Sequence, residues 1–589
     1  MHTISRFSKM IGMTAILAGS FLTAAAQLQL CPPRPQPGML IQNPLDLYSQ
    51  NGTLSVDLKL QNQMGDDGYE HYCYIYMNQG QPIEAPTLRL NAGDQLILNL
   101  TNNIQAPYDR FPAKLQLKMD KIHRSMRMTG MHKAGAPDDP CHGTEVLPSS
   151  TNIHFHGLNV PPVCHQDDVI NTLIQSGDPT FQYSLQIPPN EPPGMYWYHP
   201  HPHGYTFSQV AGGASGAIIV EGSNPITDGL TEHVFVLRQV FPAFLGQDPD
   251  AGPSILTVNF QPAIPNRQLP FINAQVGHKE FWRVVNAATT AILNLQLQYD
   301  GVAQPLEVVS LDGIPFSTPV NYTTVNLPPA GRVEFVAPPL PAGKHGLFLT
   351  TGFYSGPFGD LDPQTSILKV NPTENGSPVN QVKHKPATTT PQGAKRFANL
   401  QFLTPTAQRN LYFSEEAIAS SAPISLFITV VGQRPHVFHM DDPPAITTNV
   451  GAVEDWTIEN RSREMHAFHI HQVHFLLAAW DGQPVDEPFL RDTINVPFWD
   501  GKSLVYPSVR IRMDFRDPNT VGTFIYHCHL LEHEDGGMMG VIRVEPRQEP
   551  QDESHAAPAE PKSVPSAPQA DGPDSRATAP PAPASKSGF

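Results

Sequence analysis

Tyr526-His527-Cys528-His529-Leu530-Leu531-Glu532-His533-Glu534-Asp535-Gly536-Gly537-Met538 gathers one thiol, three imidazoles and a thioether into a single short stretch. Soft sulfur together with imidazole suits copper, and two His, one Cys and a weak axial Met make up the blue-copper ligand set. Alone, His-Cys-His would be one free cysteine between two ordinary polar residues. Three further paired-histidine motifs tell against that alternative: His154-Phe155-His156-Gly157, His199-Pro200-His201 and His466-Ala467-Phe468-His469-Ile470-His471.

Taken in order, the four motifs resemble the multicopper oxidase family, whose HxHG, HxH, HxxHxH and HCHxxxHxxxxM patterns are all present with no ligand missing. Trp197-Tyr198-His199-Pro200-His201-Pro202-His203-Gly204 and Leu530-Leu531-Glu532-His533-Glu534-Asp535 look like the three-domain bacterial laccase and cuprous oxidase branch. The resemblance runs from about Leu40 to Pro546 and implies an all-β fold of three cupredoxin-like Greek-key β-sandwich domains. The first and third would face each other across a shared cluster, with a copper-free domain between them.

The same resemblance implies four copper ions: one type 1, one type 2 and two type 3. Type 1 would take His466, Cys528 and His533 with Met538 as axial ligand. Type 2 would take His154 and His469; one type 3 ion would take His156, His199 and His529, and the other His201, His471 and His527. Cys528 would bind one centre while its immediate neighbours bind the other, linking electron entry to oxygen reduction. Met539 is expected to pack in a core, and His203 and His474, outside the family pattern, to support ligands or lie at the surface. Reducing dioxygen to water consumes protons, so carboxylates near the cluster matter. Glu534, next to a ligand, matches an acidic position of similar bacterial enzymes. Asp167 or Asp168 follows the first motif at about the family distance for a second acid, and the extra residues in Pro161–Gln166 leave that choice open. A solvated acidic turn is the alternative for both.

The chain of 589 residues is too long for one core and fits about three or four domains. Its 62 prolines and 43 glycines favour short strands and turns over helix bundles. A net charge of −17 argues against nucleic acid as a partner, since no phosphate-tracking basic surface is evident. Arg6 and Lys9, the apolar run Met10–Thr23 and Ala24-Ala25-Ala26 read as a secretory signal over residues 1–26. The run is too short to span a bilayer comfortably, so an exported, periplasmic or secreted protein without a membrane span is expected. Setting Cys528 aside leaves Cys31, Cys73, Cys141 and Cys164, an even number that suggests two disulfides and allows three pairings. Cys141 and Cys164 flank the first histidine strand, which favours that pair, with Cys31–Cys73 as the other.

Residues 37–225 are strand-rich: Thr53–Leu60 alternates with period two, and Pro86–Leu100 reads as two strands around Asn91-Ala92-Gly93-Asp94. Alternation over Thr151–His156 puts His154 and His156 on one face. An insertion, about Gln105–Leu147, carries Met119, His123, Met126, Met128, Met131, His132 and His142. It reads either as a Cu(I)-recruiting segment or, more simply, as a loop with methionine as adaptable filler. A second unit, 226–375, has strands over Glu232–Arg238 and Lys279–Asn286 and surface histidines His278 and His345. Residues 376–396 form a linker, 397–546 the third unit with its strand Val453–Asn460, and 547–589 a tail too poor in large apolar residues to order itself.

The expected function is a laccase-like oxidase that takes electrons singly from phenolic or aromatic reductants and passes them to dioxygen, as a monomer. The alternative is the same chemistry on Cu(I), in copper tolerance. The methionine-rich insertion favours the second, and the lack of a readable methionine-rich helix between about Pro372 and Gln401 favours the first. A non-enzymatic copper carrier would have lost ligands, and a copper nitrite reductase would lack both the middle unit and the paired histidines.

Overall fold

The computed structural model describes residues 31–65, 70–105, 140–143, 145–240, 254–264, 268–374, 396–417, 424–487 and 489–547. The expected signal peptide, most of the Met/His insertion (Met119 to His132), the linker and the tail from Gln548 lie outside the described residues. Among those described, strands dominate, the α-helices are the short Thr206–Ala211 and Leu531–Asp535, and no helix is long and apolar enough to cross a membrane. The fold is all-β and cupredoxin-like, built from three successive pairs of packed sheets.

In the first pair, Thr53–Met64 sits centrally in a five-stranded sheet, parallel to Gln95–Asn102. Its period-two pattern buries Leu54, Val56, Leu58 and Leu60 on one face, against Leu96, Leu98 and Leu100 from the neighbouring strand. The Asn91–Asp94 turn does not close a hairpin. It carries the chain from Thr87–Asn91 in one sheet to Gln95–Asn102 in the other, and Asp94 accepts from the Asn91 amide at 2.7 Å to hold the corner. The facing sheet runs Asp46–Tyr48, Thr87–Asn91, Gly216–Glu221, Gly194–His199, His154–His156, so two histidine-bearing strands lie side by side at its edge.

The second pair, with seven and six strands, encloses Trp282, Phe335 and Phe348. Its expected strands form as Thr231–Val240 and Glu280–Asn286, paired in parallel, and His278 and His345 are exposed. The third pair sets Val453–Asn460 in a seven-stranded sheet. The other sheet runs Ile446–Asn449, Met539–Glu545, Gly522–Cys528, His466–Ile470, Thr493–Val496, which places the remaining histidine motifs on adjacent strands. Disulfides close Cys31–Cys73 and Cys141–Cys164.

The first and second units share an apolar seam in which Met195, Trp197, Ala217 and Ile219 meet Val234, Val236, Val285, Ala287 and Ala330. Beside that seam lies a buried charge chain. Arg89, fully buried, donates to Asp46 at 2.6 Å, Glu221 at 2.7 Å and Glu232 at 2.6 Å. Arg283 then links Glu232 to Glu334. Removing one partner of a buried ion network leaves uncompensated charge, at a cost of about 3–5 kcal/mol. Arg89→Ala is therefore expected to lower the melting temperature of the whole protein by several degrees. A calorimetric scan matching the parent would show that the network contributes nothing.

Candidate metal centre

Strand alternation alone sorts the donor residues. In Gly522–Cys528 and the residue after it, Cys528 turns inward to a core that includes Phe468 and Met538, while His527 and His529 turn the other way. Phe468 pairs opposite Cys528 and His469 opposite His527. His466, two residues before Phe468, therefore shares the Cys528 face, and His469 and His471 share the other. In the first unit Phe155 faces the core, so His154 and His156 project outward, with His154 in register with His199.

Two donor sets result. In the first, the Nδ1 atoms of His466 and His533 lie 3.2 Å apart and 3.6 and 3.8 Å from Sγ of Cys528. His533 comes from the short helix Leu531–Asp535. The chain then doubles back, with Met538 donating to the His533 carbonyl at 2.9 Å and Cys528 to the Met538 carbonyl at 3.1 Å. Met538 is fully buried in the same core as Cys528, whereas Met539 packs outward with Val169, Phe438, Ile525 and Val541. Both imidazoles are steered from their far nitrogens: Nε2 of His466 by Ser462 (2.7 Å) and Glu415 (3.4 Å), Nε2 of His533 by Glu464 (3.0 Å). Burial alone raises a thiol, but hydrogen bonds from His466 and His533 reverse this and bring Cys528 down to about 6. The thiolate, the metal-binding form, is thus favoured at neutral pH.

The second set holds eight buried imidazoles: His154, His156, His199, His201, His469, His471, His527 and His529. His154 stacks on His471 at 3.8 Å and His156 on His469 at 4.0 Å, and Nε2 of His201 lies 3.4 Å from Nε2 of His527. Ligand nitrogens of His201, His471 and His527 fall within 4.8 Å of one another, as do those of His154, His156 and His199. His529 sits 5.2 Å from His156 and 5.7 Å from His199, ring to ring.

Five of these rings are pinned at one nitrogen. Nδ1 of His154 faces Asp167 (3.0 Å), Nε2 of His156 faces Asp492 (3.2 Å), and Nδ1 of His199, His469 and His527 donates to the carbonyls of Pro200, Asp492 and Cys528. The other nitrogen of His154, His156, His199 and His469 is buried without a hydrogen-bond partner, as are both nitrogens of His471 and His529. Buried polar atoms are almost always satisfied, and ligating histidines normally give their second nitrogen to a carboxylate or carbonyl. So many orphaned nitrogens facing one space fit metal ions, and thiolate with imidazole fits copper.

The two candidate aspartates part company. Asp167 is buried, accepts from the Phe155 amide (2.9 Å) and Gln472 (2.5 Å), and holds His154. Asp168 turns away to cap Asn171 at 3.0–3.1 Å and does not reach the cluster. Glu534 lies 3.5 Å from Nδ1 of His201 and 3.6 Å from Nδ1 of His527, and burial, with Asp535 beside it, raises its pKa well above the carboxylate range. His203 and His474 are both buried rather than on the surface: His203 against Phe438, and His474 beside Asp492. Glu464, Glu415, Gln472 and Asp492 carry no motif that marks them in the sequence. Gln472 follows His471 and Glu464 precedes His466 by two residues, yet the contacts they make, to Asp167 and His533, arise only through the fold.

Among the cluster histidines, burial pushes His199 from 6.5 to about 3 and His527 to about 4. They are neutral at pH 7 and ready to act as ligands. An unfolded chain binds these protons near 6.5 while the folded one refuses them, so metal-free stability falls as the pH drops from about 6.5 toward 4. His199→Gln should flatten part of that fall in a melting-temperature profile of the metal-free protein. A profile with unchanged slope would contradict it.

Comparison with known proteins agrees with this geometry. Family models described as multicopper oxidase match residues 413–548 and 144–225. The multicopper oxidase mco of Staphylococcus haemolyticus is 26% identical over 418 residues, covering 68% of this chain and 77% of that protein. A laccase of Bacillus subtilis is 22% identical over 424 residues, covering 66% and 78% respectively. A multicopper oxidase from Campylobacter jejuni, a metallo-oxidase, superposes with a TM-score of 0.59 at 21% identity, covering 88% of this chain and 98% of that one.

Proposed function

Since the chain belongs to the multicopper oxidase family of oxidoreductases, we propose that it is a laccase-like oxidase of phenolic or aromatic reductants, with dioxygen as acceptor. Four copper ions belong to this proposal: one at His466, Cys528, His533 and Met538, and three among the eight imidazoles. Bound there, copper supplies one-electron redox chemistry at the thiolate and four-electron reduction of dioxygen to water at the cluster. The observation that carries the proposal is the backbone at Cys528. One residue belongs to the thiolate set while both its neighbours belong to the cluster, so the two sets are joined through a single strand.

The chain's own groups support each part. Glu464, whose side chain is 14% exposed, hydrogen-bonds Nε2 of His533 and gives that histidine a carboxylate facing outward, suited to accept a phenol's proton as it loses an electron. Beside it a loop of the second unit clasps the Arg461–Met465 turn: Met465 donates to the Ser355 carbonyl at 2.6 Å and Arg463 covers Phe358 at 4.6 Å. Tyr354 and Phe358, 63% and 64% exposed, give the neighbourhood an aromatic surface. Glu534 and Asp167 hold carboxyl groups against His201, His527 and His154, where protons for oxygen reduction are consumed. An exported, periplasmic or secreted location is part of the same proposal, supported by the leader-like residues 1–26 and two disulfides.

A second substrate, Cu(I), is favoured by the two carboxylates, Glu415 and Glu464, at the outer nitrogens of His466 and His533, and by the likeness to the Campylobacter jejuni metallo-oxidase. Oxidation of a phenol and of Cu(I), measured in parallel on copper-loaded protein with oxygen uptake and the visible spectrum, separates the two. Blue absorbance with faster phenol turnover supports the laccase assignment, faster Cu(I) turnover replaces it, and a colourless, inactive protein overturns both. Cys528→Ser should abolish the blue absorbance and turnover together. Glu534→Gln should leave the blue absorbance intact while slowing oxygen uptake by about 100-fold or more, the scale of a lost proton-transfer group. Equal rates across pH would remove Glu534 from proton delivery.

A further inference from the structure

The middle unit contributes no histidine to either donor set, yet one of its side chains reaches the back of the cluster. Arg332 begins the strand Arg332–Ala337 and is fully buried. Its guanidinium meets five acceptors drawn from all three units. Nε donates to the Met195 carbonyl (3.3 Å) in the first, and the terminal nitrogens donate to the carbonyls of Ala330 (3.1 Å) and Asp312 (3.0 Å) in the second. The same nitrogens grip Asp492 of the third as a fork, at 2.8 Å to Oδ1 and 2.6 Å to Oδ2. Guanidinium has five N–H donors, so no donor is left over for another partner.

Asp492 then controls two cluster histidines at once. Its Oδ1 holds Nε2 of His156 at 3.2 Å, and its main-chain oxygen accepts from Nδ1 of His469 at 2.8 Å. In both rings the opposite nitrogen is the orphaned one, and the rings stack 4.0 Å apart. Asp492 is itself located from behind, because Asp312 accepts from its amide at 3.1 Å. The glycine of His-Phe-His-Gly fits the same contact. At Gly157 (φ +88°) a Cβ would come 2.4 Å from Arg332 and 2.9 Å from Asp492. That glycine is the space into which the pair packs.

From this geometry we infer that Arg332 is a positioning residue for the histidine cluster, acting through Asp492 to aim His156 and His469. The inference rests on the copper-binding reading of the cluster given above. Lysine keeps the charge of Arg332 but has no planar fork, so it cannot fix the carboxylate in two directions. Partners of this kind change metal affinity or activity by about 10–100-fold when lost.

The test is copper titration of full-length Arg332→Lys and Asp492→Asn proteins, following copper bound per chain and the paramagnetic resonance signal of the cluster. The blue absorbance of the Cys528 set is the internal control that the third unit has folded. The expected result is an intact blue band with cluster copper bound about 10–100-fold more weakly and an altered cluster signal. Parent-like cluster copper and signal in both variants would overturn the inference. Should either variant lose the blue band, Asp312→Asn, which loosens Arg332 and Asp492 without removing either, is held to the same criterion. If the parent protein binds no copper at the eight imidazoles, the functional reading fails and takes this inference with it. Parent binding with unaltered variants sinks this inference alone.

Discussion

Eight buried imidazoles packed into one space, six of them with at least one nitrogen that meets no protein partner, form the constraint on which the rest of the structure depends. A buried polar atom without a hydrogen bond costs about 1–3 kcal/mol, and several accumulate here. A single sandwich could not hold such a cluster, because each strand offers only alternate side chains to one face. Two sandwiches, each supplying paired histidines from two neighbouring strands, can. The apolar seams and the buried ion chain through Arg89 and Arg283 keep the units in place against that cost, and metal binding would return free energy to the fold.

The donor residues were legible because their chemistry is local. His527, Cys528 and His529 alternate along one strand, so their opposite roles follow from period two alone. The parity of His466 against His469 and His471 separates the two sets in the same way. The all-β class was equally open, through the proline and glycine content and the alternation in Thr53–Leu60, and the resemblance carried by the four motifs supplied its cupredoxin-like form. Here sequence pattern and fold are the same statement.

The orienting residues were not legible, because they act across distance. Asp167 and Asp168 are neighbours of like chemistry, and only the Phe155 amide and Gln472, from another unit, decide that Asp167 turns inward. His203 and His474 extend the motifs without belonging to the ligand pattern, and only the fold buries them, His203 against Phe438 and His474 beside Asp492. Glu464 and Asp492 have no signature of their own. Each becomes significant through a contact with a ring nitrogen that the chain reaches only after folding.

The same distinction gives the middle unit a physical role. A spacer that merely separated the outer units would need only apolar seams, and the Trp197 and Val285 layer already provides one. Burying a guanidinium is costly unless it is completely satisfied, and Arg332 is satisfied by carbonyls from two units and a carboxylate from the third. Apolar contact resists separation but tolerates small sliding, whereas a bidentate fork fixes distance and direction together. A cluster assembled from opposing sandwiches needs that directional control most where the two halves meet, and His156 of the first unit stacked on His469 of the third is such a meeting point.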